Sequence, residues 1–217
     1  VLSTLHLGRP HRFYRAFNNP VFDARAQAMT TDWASHTPPE PRIKGLTVIP
    51  DLDLAKLRPF IDWTPFFHAW QLKGTYPEIF ERPDVGAEAR RLHAEAEAML
   101  DELTTTRAIT ARGIMGLFPA ARRGDDIVIY TDETRAAERA VLHHLRRQRA
   151  DARTGATACL ADLVAPERRG VADWVGAFAV TAGFGADELA RQHEQAGDDY
   201  RAILVKALAD RLAEAFA

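Results

Sequence analysis

Asp62 lies where the side-chain types of this sequence most favour a ligand site. Residues 61–67 carry one carboxylate and three large aromatic side chains, and Pro65 prevents an uninterrupted helix through the stretch. Aromatic rings can form the wall of a site for a planar or apolar ligand, with the carboxylate as its polar anchor. In the alternative interpretation the rings fill the core and Asp62 caps a short helix. From chemistry alone the second interpretation is favoured.

Asp210 and Glu214 form a second candidate, one helical turn apart near the end of the chain. They lie on a different helix face from the apolar residues Leu204, Leu208, Leu212 and Phe216. Two like charges at this spacing repel by roughly a few tenths of a kcal/mol, and Lys206 is one possible offset. The pair is either a solvated acidic face, which chemistry alone favours, or two acceptors that face a cleft. In a cleft they would bind a cationic ligand or orient a water.

Other reactive side chains give no site by their spacing. His143 and His144 are adjacent, so on a helix they would point to different faces and could not ligate one metal together. Cys159 is the only cysteine, which excludes a disulfide framework and a cysteine-based zinc site. We expect it to be a buried small apolar residue. The sequence predicts no metal site.

Length and composition exclude several classes of protein. The 217 residues suit one large domain, and 47% hydrophobic and 27% charged residues are ordinary for a globular protein. A net charge of −2 argues against a nucleic-acid binder. No apolar run approaches the roughly 18 residues that a membrane helix needs. The single cysteine fits a reducing cytosol, so we expect a cytoplasmic protein.

Hydrophobic periodicity predicts an α+β arrangement, because helices and strands are interspersed without a regular βαβ alternation. We expect strands over 112–121 and 126–131 joined as a hairpin, and a buried central strand over 173–183. Gly113 and Gly116 indicate a bulge or another backbone close by. The predicted helices are 54–60 capped by Asp53, 86–104, 133–147 at least in part, 186–195, and a last helix capped by Asp198.

Several collinear motifs resemble the reactivation domain of cobalamin-dependent methionine synthase, from about Trp33 to Ala217. They are Asp62-Trp63-Thr64-Pro65-Phe66-Phe67 with Trp70, Arg112-Gly113-x-x-Gly116-Leu117-Phe118-Pro119-Ala120, Gly124-Asp125-Asp126-Ile127, Asp132-Glu133-Thr134-Arg135, Cys159-Leu160-Ala161-Asp162, Gly176-Ala177-Phe178-Ala179-Val180-Thr181, Asp198-Asp199-Tyr200, and the run from Val205 to Ala217. On this resemblance we expect residues 32–217 to form the domain and residues 1–31 to be a leader or linker.

The resemblance implies a fold and a function. The fold is a C-shaped single α+β domain, with surrounding helices on a twisted antiparallel sheet. The domain binds S-adenosylmethionine and supports reductive methylation of cob(II)alamin to methylcobalamin in methionine biosynthesis. Its partners are the cobalamin-binding domain of methionine synthase, which holds the cobalamin, and flavodoxin or an equivalent reductase. Zinc belongs to the full-length family only.

The resemblance also assigns roles to individual residues. Asp62 matches the aspartate that binds S-adenosylmethionine, and Asp210 with Glu214 matches the acidic pair implicated in reductive methylation. The family's Arg-Pro-x-x-Gly-Tyr-Pro-type segment, which supplies most main-chain contacts to S-adenosylmethionine, does not occur in this sequence. We therefore expect a domain that is incomplete at its C-terminal end, part of a methyltransferase and inactive alone. The alternative is a non-catalytic docking module for a corrinoid protein or flavodoxin.

Overall fold

A computed structural model describes residues 32–217, so the predicted leader over residues 1–31 lies outside it. The described chain combines a five-stranded sheet with α-helices, which confirms the α+β class. It divides into two compact units. The helical unit contains Val48–Ile114 and Phe178–Ala217, and the hairpin unit contains residues 32–47 and Met115–Ala177. None of the helices in residues 32–217 is long and apolar enough to cross a membrane.

The sheet is ordered β1-β2-β3-β4, with β5 also paired to β2. Its strands are β1 Gly45–Leu52, β2 Thr110–Arg123, β3 Asp126–Tyr130, β4 Glu138–Leu142 and β5 Asp173–Phe184. Strands β2 and β3 form the predicted hairpin, antiparallel with Arg123 opposite Asp126. Gly124 takes the left-handed conformation in the turn, with φ of +67°. This hairpin is confirmed because its pattern and turn are both local in sequence.

Strand β4 replaces the helix predicted over residues 133–147, so that prediction is wrong. β4 pairs antiparallel with β3, with Val128 opposite Val141 and Ile129 opposite Ala140. Arg135 has a φ of +57°, which a continuing α-helix does not allow. Its guanidinium donates hydrogen bonds to two backbone carbonyls, each at 2.8 Å. Helix propensity is a weak preference, and pairing with a neighbouring strand overrides it.

Strand β5 exists as predicted, but its centre is not buried. Residues 176–179 are exposed, and Phe178 keeps 59% of its surface accessible. A run of small apolar residues resembles a buried strand in composition. Burial depends on what packs over the strand, and composition does not carry that information.

The structure of residues 32–217 contains four α-helices, all within the helical unit: α1 Trp63–Ala69, α2 Gly86–Thr106, α3 Ala186–Gln195 and α4 Asp199–Phe216. Asp198 caps α4 by accepting a hydrogen bond from Arg201 N, as predicted. The helix predicted over 54–60 is instead two 3-10 turns, although Asp53 does cap the first. Pro59 has no N–H to continue a helix, which explains the break.

The core of the helical unit lies between its helices. Helix α4 contacts α1, α2 and α3, and buries Leu204, Leu208 and Leu212. The predicted apolar arc of the last helix therefore faces the core. The space beside Gly113 is filled by side chains, because a Cβ built there would lie 2.9 Å from Phe216 Cζ and 3.2 Å from Val180 Cγ1. The expected close approach is real, but it involves side chains rather than another backbone.

Candidate functional site

Asp62 begins helix α1 and uses one oxygen to do so. Its Oδ1 accepts a hydrogen bond from Thr64 N at 2.9 Å, which satisfies one of the free N–H groups at the start of the helix. Pro65 lies in the first turn, where a missing N–H costs nothing. The side chain of Asp62 is exposed, and Oδ2 has no hydrogen bond or ion pair within residues 32–217. The capping interpretation is correct, and one carboxylate oxygen still faces solvent.

The aromatic side chains that follow Asp62 belong to the core. Trp63, Phe66 and Phe67 are almost completely buried. Trp63 lies edge-on to Phe66 at a centroid distance of 5.3 Å and to His93 of α2 at 4.5 Å. Such edge-to-face contacts fix the first turn of α1 and therefore the backbone of Asp62. These rings position the carboxylate, so they are not a ligand wall.

Burial sets the ionisation of His93 beside this cluster. Its pKa is lowered chiefly by desolvation, which disfavours the charged imidazolium, and Arg58 acts in the same direction. Glu97 opposes the shift, and its carboxylate is itself paired with Arg58. Burial therefore favours the neutral imidazole of His93. At the start of α1, the exposed side chain with an acidic group is that of Asp62.

Asp210 and Glu214 share one cation on helix α4. Arg211 donates to Asp210 Oδ2 at 2.5 Å, and its other terminal nitrogen pairs with Glu214. The Arg211 side chain is only 14% exposed, whereas those of Asp210 and Glu214 are 60% and 57% exposed. The guanidinium thus reduces the repulsion between the two carboxylates and leaves both accessible from solvent.

The predicted role of Lys206 is wrong. Lys206 pairs with Glu194 of α3 at 2.9 Å, and Arg211 offsets the acidic pair instead. Sequence reasoning missed Arg211, although its spacing from both acids (i+1 and i+3) placed it within reach. A long side chain can extend along the helix surface, so residues that a helical wheel places at different angles can still pair.

Contacts with helix α2 hold the start of α4 in place. Tyr200 donates a hydrogen bond from its hydroxyl to Glu95, and burial together with this bond raises the pKa of Tyr200 to about 12. Arg201 pairs with Glu102, which lies about two turns further along α2 than Glu95. These contacts fix the direction in which α4 carries Asp210 and Glu214.

Of the three predicted site residues, Asp62 lies directly before helix α1, and Asp210 and Glu214 lie on helix α4. Helix α1 contacts α4, as does the 3-10 turn over Arg58–Phe60 that precedes Asp62. No hydrogen bond or ion pair within residues 32–217 joins Asp62 to Asp210 or Glu214. Separate, exposed carboxylates of this kind can bind a cationic or hydroxyl-bearing ligand.

The hairpin unit contains a polar cluster that the sequence did not predict. Asp162 is fully buried and accepts hydrogen bonds from Arg122 at 2.8 Å and from Arg146 at 2.7 Å. Arg146 also pairs with Asp125 at 2.6 Å. A cleft of about 410 Å³ lies beside them, lined by Arg122, Arg123, Gly124, Asp125, Arg146, Pro166, Glu167 and Arg168. The buried charges are paired, so the cluster joins the hairpin turn to residues 146–162.

Cys159 and His143, the other reactive residues considered from the sequence, belong to the hairpin unit. Cys159 is buried, as expected, and burial raises the pKa of its thiol. His143 is exposed and lies 3.0 Å from Asp126. In the part of the chain that the structure describes, no group of three or more histidine, cysteine, aspartate or glutamate side chains is arranged to hold a metal ion.

Known proteins provide two independent comparisons. A family model described as "Vitamin B12 dependent methionine synthase, activation domain" matches residues 53–217. A solved structure, "Crystal Structure of the MetH Reactivation Domain bound to AdoHcy", is similar with a TM-score of 0.85 and 50% sequence identity. That match covers 89% of this chain and 59% of the compared chain. The chain therefore spans less than two thirds of the length of that relative.

Proposed function

Because this chain belongs to the activation-domain family of vitamin B12 dependent methionine synthase, we propose that it binds S-adenosylmethionine and supports reductive methylation of cob(II)alamin to methylcobalamin in methionine biosynthesis. We assign this domain to residues 32–217. The observation that carries the proposal is the 50% identity to a reactivation domain that binds S-adenosylhomocysteine (AdoHcy), the same ligand without its methyl group.

The acidic side chains of the helical unit fit such a ligand. S-adenosylmethionine carries a positive sulfonium, a positive α-ammonium and ribose hydroxyls, and all of these are favourable partners for carboxylates. Asp62 offers a free oxygen from a fixed backbone, and Asp210 and Glu214 present two exposed carboxylates on α4. In this proposal Asp62 binds S-adenosylmethionine, and the pair on α4 acts during reductive methylation.

Cobalamin and the electron donor lie outside this chain in the proposal. Cobalamin, held by a separate cobalamin-binding domain, would supply the cobalt that accepts one electron and the methyl group, and S-adenosylhomocysteine would be the product that leaves. Flavodoxin or an equivalent reductase supplies the electron. The residues of this chain bind and orient the methyl donor and provide negative charge beside its sulfonium. The chain alone is therefore inactive.

Calorimetric titration with AdoHcy tests the binding half of the proposal. The samples are this chain and the same chain extended by the remainder of the compared reactivation domain. We expect weak binding by the chain and tighter binding by the extension, because the Arg-Pro-x-x-Gly-Tyr-Pro-type segment is absent from the 217 residues. A correctly folded extended protein that ignores AdoHcy would contradict the proposal.

The methylation half is tested with the extended protein, a cobalamin-binding domain, S-adenosylmethionine and reduced flavodoxin. Formation of methylcobalamin is followed by its absorbance. We expect the double variant Asp210→Asn, Glu214→Gln to form it at least about tenfold more slowly while AdoHcy affinity changes little. Equal rates for the variant and the parent would remove the acidic pair from the mechanism.

A docking module is the second candidate function, and the exposure of Asp210 and Glu214 favours it. Exposed like charges on one helix face are a means of orienting a charged partner. Capture of a cobalamin-binding domain or flavodoxin in the absence of S-adenosylmethionine would support this alternative. Capture that requires S-adenosylmethionine would support the main proposal.

A further inference from the structure

The cleft of the hairpin unit has the size of a small-molecule site and an almost entirely polar wall. Its volume of about 410 Å³ lies within the range of roughly 300–1,000 Å³ that ligand sites occupy. Among the described residues that line it, Pro166 alone has an apolar side chain. Four of the others are arginines and two are acids: Arg122, Arg123, Arg146 and Arg168, with Asp125 and Glu167. Such a wall favours a charged ligand over an apolar one.

The carboxylates around the cleft are already hydrogen-bonded to two of these arginines. Asp125 Oδ1 accepts from Nε and Nη2 of Arg146, at 3.1 and 2.6 Å. Glu167 and Glu138 both accept from Arg123, at 2.7 and 2.8 Å. A cationic ligand would have to displace an arginine from these charge-assisted hydrogen bonds, which are among the strongest in proteins. The cleft is therefore a poor site for a metal ion or an ammonium group.

The other two arginines keep donors that no group in residues 32–217 uses. Arg122 donates to Asp162 through Nη1, and its Nε and Nη2 have no hydrogen bond within that range. The Arg122 side chain is 19% exposed, so it is not sealed inside the core. Arg168 is exposed, and its side chain has no hydrogen bond or ion pair in the same range. A guanidinium carries five N–H donors and stays charged, so both residues can still bind an anion.

The backbone fixes the segments that carry Arg122 and Arg168 beside each other. Arg122 N donates to Ala165 O at 2.9 Å, and Arg122 forms a parallel bridge with Pro166. Arg168 lies in the 3-10 turn Glu167–Arg169 that follows directly, and a hydrogen bond of 2.9 Å to Pro166 O closes this turn. Donors that start from a fixed backbone lose less entropy when a ligand binds. The cleft is thus largely formed before any ligand arrives.

We propose that this cleft binds the phosphate group of a small molecule, which accepts hydrogen bonds from the guanidinium groups of Arg122 and Arg168. A phosphate group offers three strong acceptor oxygens, whereas a carboxylate offers two, so phosphate is the better partner for two guanidinium groups at once. The S-adenosyl ligand carries no phosphate, and the carboxylates assigned to it lie in the helical unit. The phosphate site is therefore distinct from the site of the proposed function and does not depend on it.

Titration of the 217-residue chain with phosphate compounds tests the inference. The probes are inorganic phosphate, pyrophosphate and adenosine monophosphate, at about pH 8, where a phosphate ester carries close to two negative charges. Sodium chloride at about 0.15 M screens diffuse attraction between each probe and the protein surface. Two-dimensional NMR follows the Nε–Hε signals of Arg122 and Arg168, and calorimetry gives the affinities. We expect both signals to shift along one titration curve.

Arg168→Ala should weaken pyrophosphate binding about tenfold or more, because hydrogen bonds between charged groups are lost. Arg168→Lys keeps the charge but not the planar pair of donors, so it should bind more tightly than Arg168→Ala and less tightly than the parent. The matched control is Arg149→Ala, since Arg149 is also exposed, lies in the hairpin unit and has no ion pair within residues 32–217. This control should bind like the parent. An unchanged thermal unfolding curve for Arg168→Ala will separate the effect from misfolding.

Adenosine monophosphate and inorganic phosphate distinguish the two sources of the phosphate group. Tighter binding of adenosine monophosphate would support the inference and identify a phosphate ester as the ligand. Equal binding of the two would support it with the phosphate group alone as the ligand.

Three outcomes would overturn the inference. If Arg168→Ala and Arg149→Ala weaken binding equally, the attraction belongs to the overall charge of the surface and not to the cleft. If the Arg122 signal does not shift with any of the three probes, the phosphate group does not enter the cleft. If a tetraglutamate peptide binds more tightly than pyrophosphate, the cleft is instead a docking surface for the carboxylates of a protein.

Discussion

At the scale of single residues, the candidate site depends on which carboxylate oxygens are hydrogen-bonded within the fold and which remain exposed to solvent. Asp62 Oδ1 accepts a hydrogen bond from Thr64 N, and Oδ2 remains free to accept one from a ligand. Asp53 caps a neighbouring 3-10 turn in the same way, through Ala55 N at 3.0 Å. The two aspartates therefore have the same structural role, and only the proposal on ligand binding distinguishes them. This likeness makes Asp53 a matched control.

We predict that Asp62→Asn weakens binding of AdoHcy by the extended protein about tenfold or more and leaves the fold intact. Asparagine caps helices as well as aspartate does, but it lacks the charge that strengthens hydrogen bonds from the ligand. Calorimetry gives the affinity, and thermal unfolding gives the stability. Asp53→Asn should change neither quantity. If Asp62→Asn unfolds the domain, or if both variants bind alike, Asp62 is a cap only.

Arg211 should stabilise helix α4 more than an ordinary surface arginine does. We predict that Arg211→Ala lowers the free energy of unfolding by about 1 kcal/mol, because two ion pairs and a largely buried stem are lost together. Urea denaturation at low and high salt measures this, and the loss should shrink at high salt. Lys206→Ala removes one exposed pair and should cost less than about 0.5 kcal/mol. Equal effects of the two variants would contradict the assigned role of Arg211.

At the scale of elements, glycines connect the last two helices of the helical unit to the rest of the chain, and one of these glycines allows two backbone segments to approach closely. Gly185 precedes α3 with a φ of +92°, and a Cβ there would lie 2.5 Å from the carbonyl oxygen of Ala108. That carbonyl belongs to the junction between α2 and β2. Gly197, between α3 and α4, also has a positive φ, of +76°, but nothing lies within 4 Å of its missing Cβ. A comparison of alanine variants at Gly185 and Gly197 therefore distinguishes the cost of backbone strain from the cost of a steric clash.

We predict that Gly185→Ala lowers the free energy of unfolding by about 2 kcal/mol more than Gly197→Ala does. Both variants carry the left-handed strain of roughly 1 kcal/mol, and only the first forces two backbone segments apart. Urea denaturation of the two variants gives the comparison. If both variants lost a similar free energy of unfolding, the backbone around Ala108 would be able to move away from the new Cβ at little cost.

Glu167 connects three elements of the hairpin unit. It accepts hydrogen bonds from Arg123 of β2 and from Tyr130 of β3, each at 2.7 Å, and Arg123 also pairs with Glu138 of β4. The Arg123 guanidinium, and then the Tyr130 hydroxyl, lower the pKa of Glu167 to about 2. Because this carboxyl is protonated more easily in the unfolded chain, its contribution to stability depends on pH.

We predict that Glu167 stabilises the fold fully above about pH 5 and that this contribution is lost as the pH falls towards 2. A depressed folded-state pKa gives this sign, since protonation between the ordinary value of 4.5 and about 2 favours unfolding. The melting temperature of Glu167→Gln should be lower than that of the parent at neutral pH, and the two should converge in acid. Glu78 has no ion pair within residues 32–217, so Glu78→Gln should run parallel to the parent. If the melting temperatures of Glu167→Gln and the parent differed by the same amount at every pH, the prediction would be refuted.

At the scale of the whole molecule, a ligand that binds only the folded chain must stabilise it. We predict that AdoHcy at about one hundred times its dissociation constant stabilises the extended protein by roughly 2.7 kcal/mol. In a domain of about this size that raises the melting temperature by about 5–10 °C. Differential scanning fluorimetry measures the shift, with adenine and homocysteine added together as the unlinked control. No shift at saturating AdoHcy would contradict binding to the folded state.

Much of the fold was determined by the sequence alone. The helices over Gly86–Thr106 and Ala186–Gln195, the hairpin of β2 and β3 and the Asp198 cap were all predicted close to their actual bounds. Each depends on residues within a few positions of one another, such as a helical period, a turn glycine or a capping oxygen. The motifs around Asp62 and after Val205 also indicated the family that the comparisons support.

Only the tertiary structure decided the rest. It placed β4 beside β3 although the segment has the composition of a helix, and it left the centre of β5 exposed. It gave the acidic pair Arg211 as partner and directed Lys206 to α3. It also divided the oxygens of Asp62 between the helix and solvent. These outcomes depend on which distant segments meet, and the free energies of such contacts cannot be read from neighbouring residues.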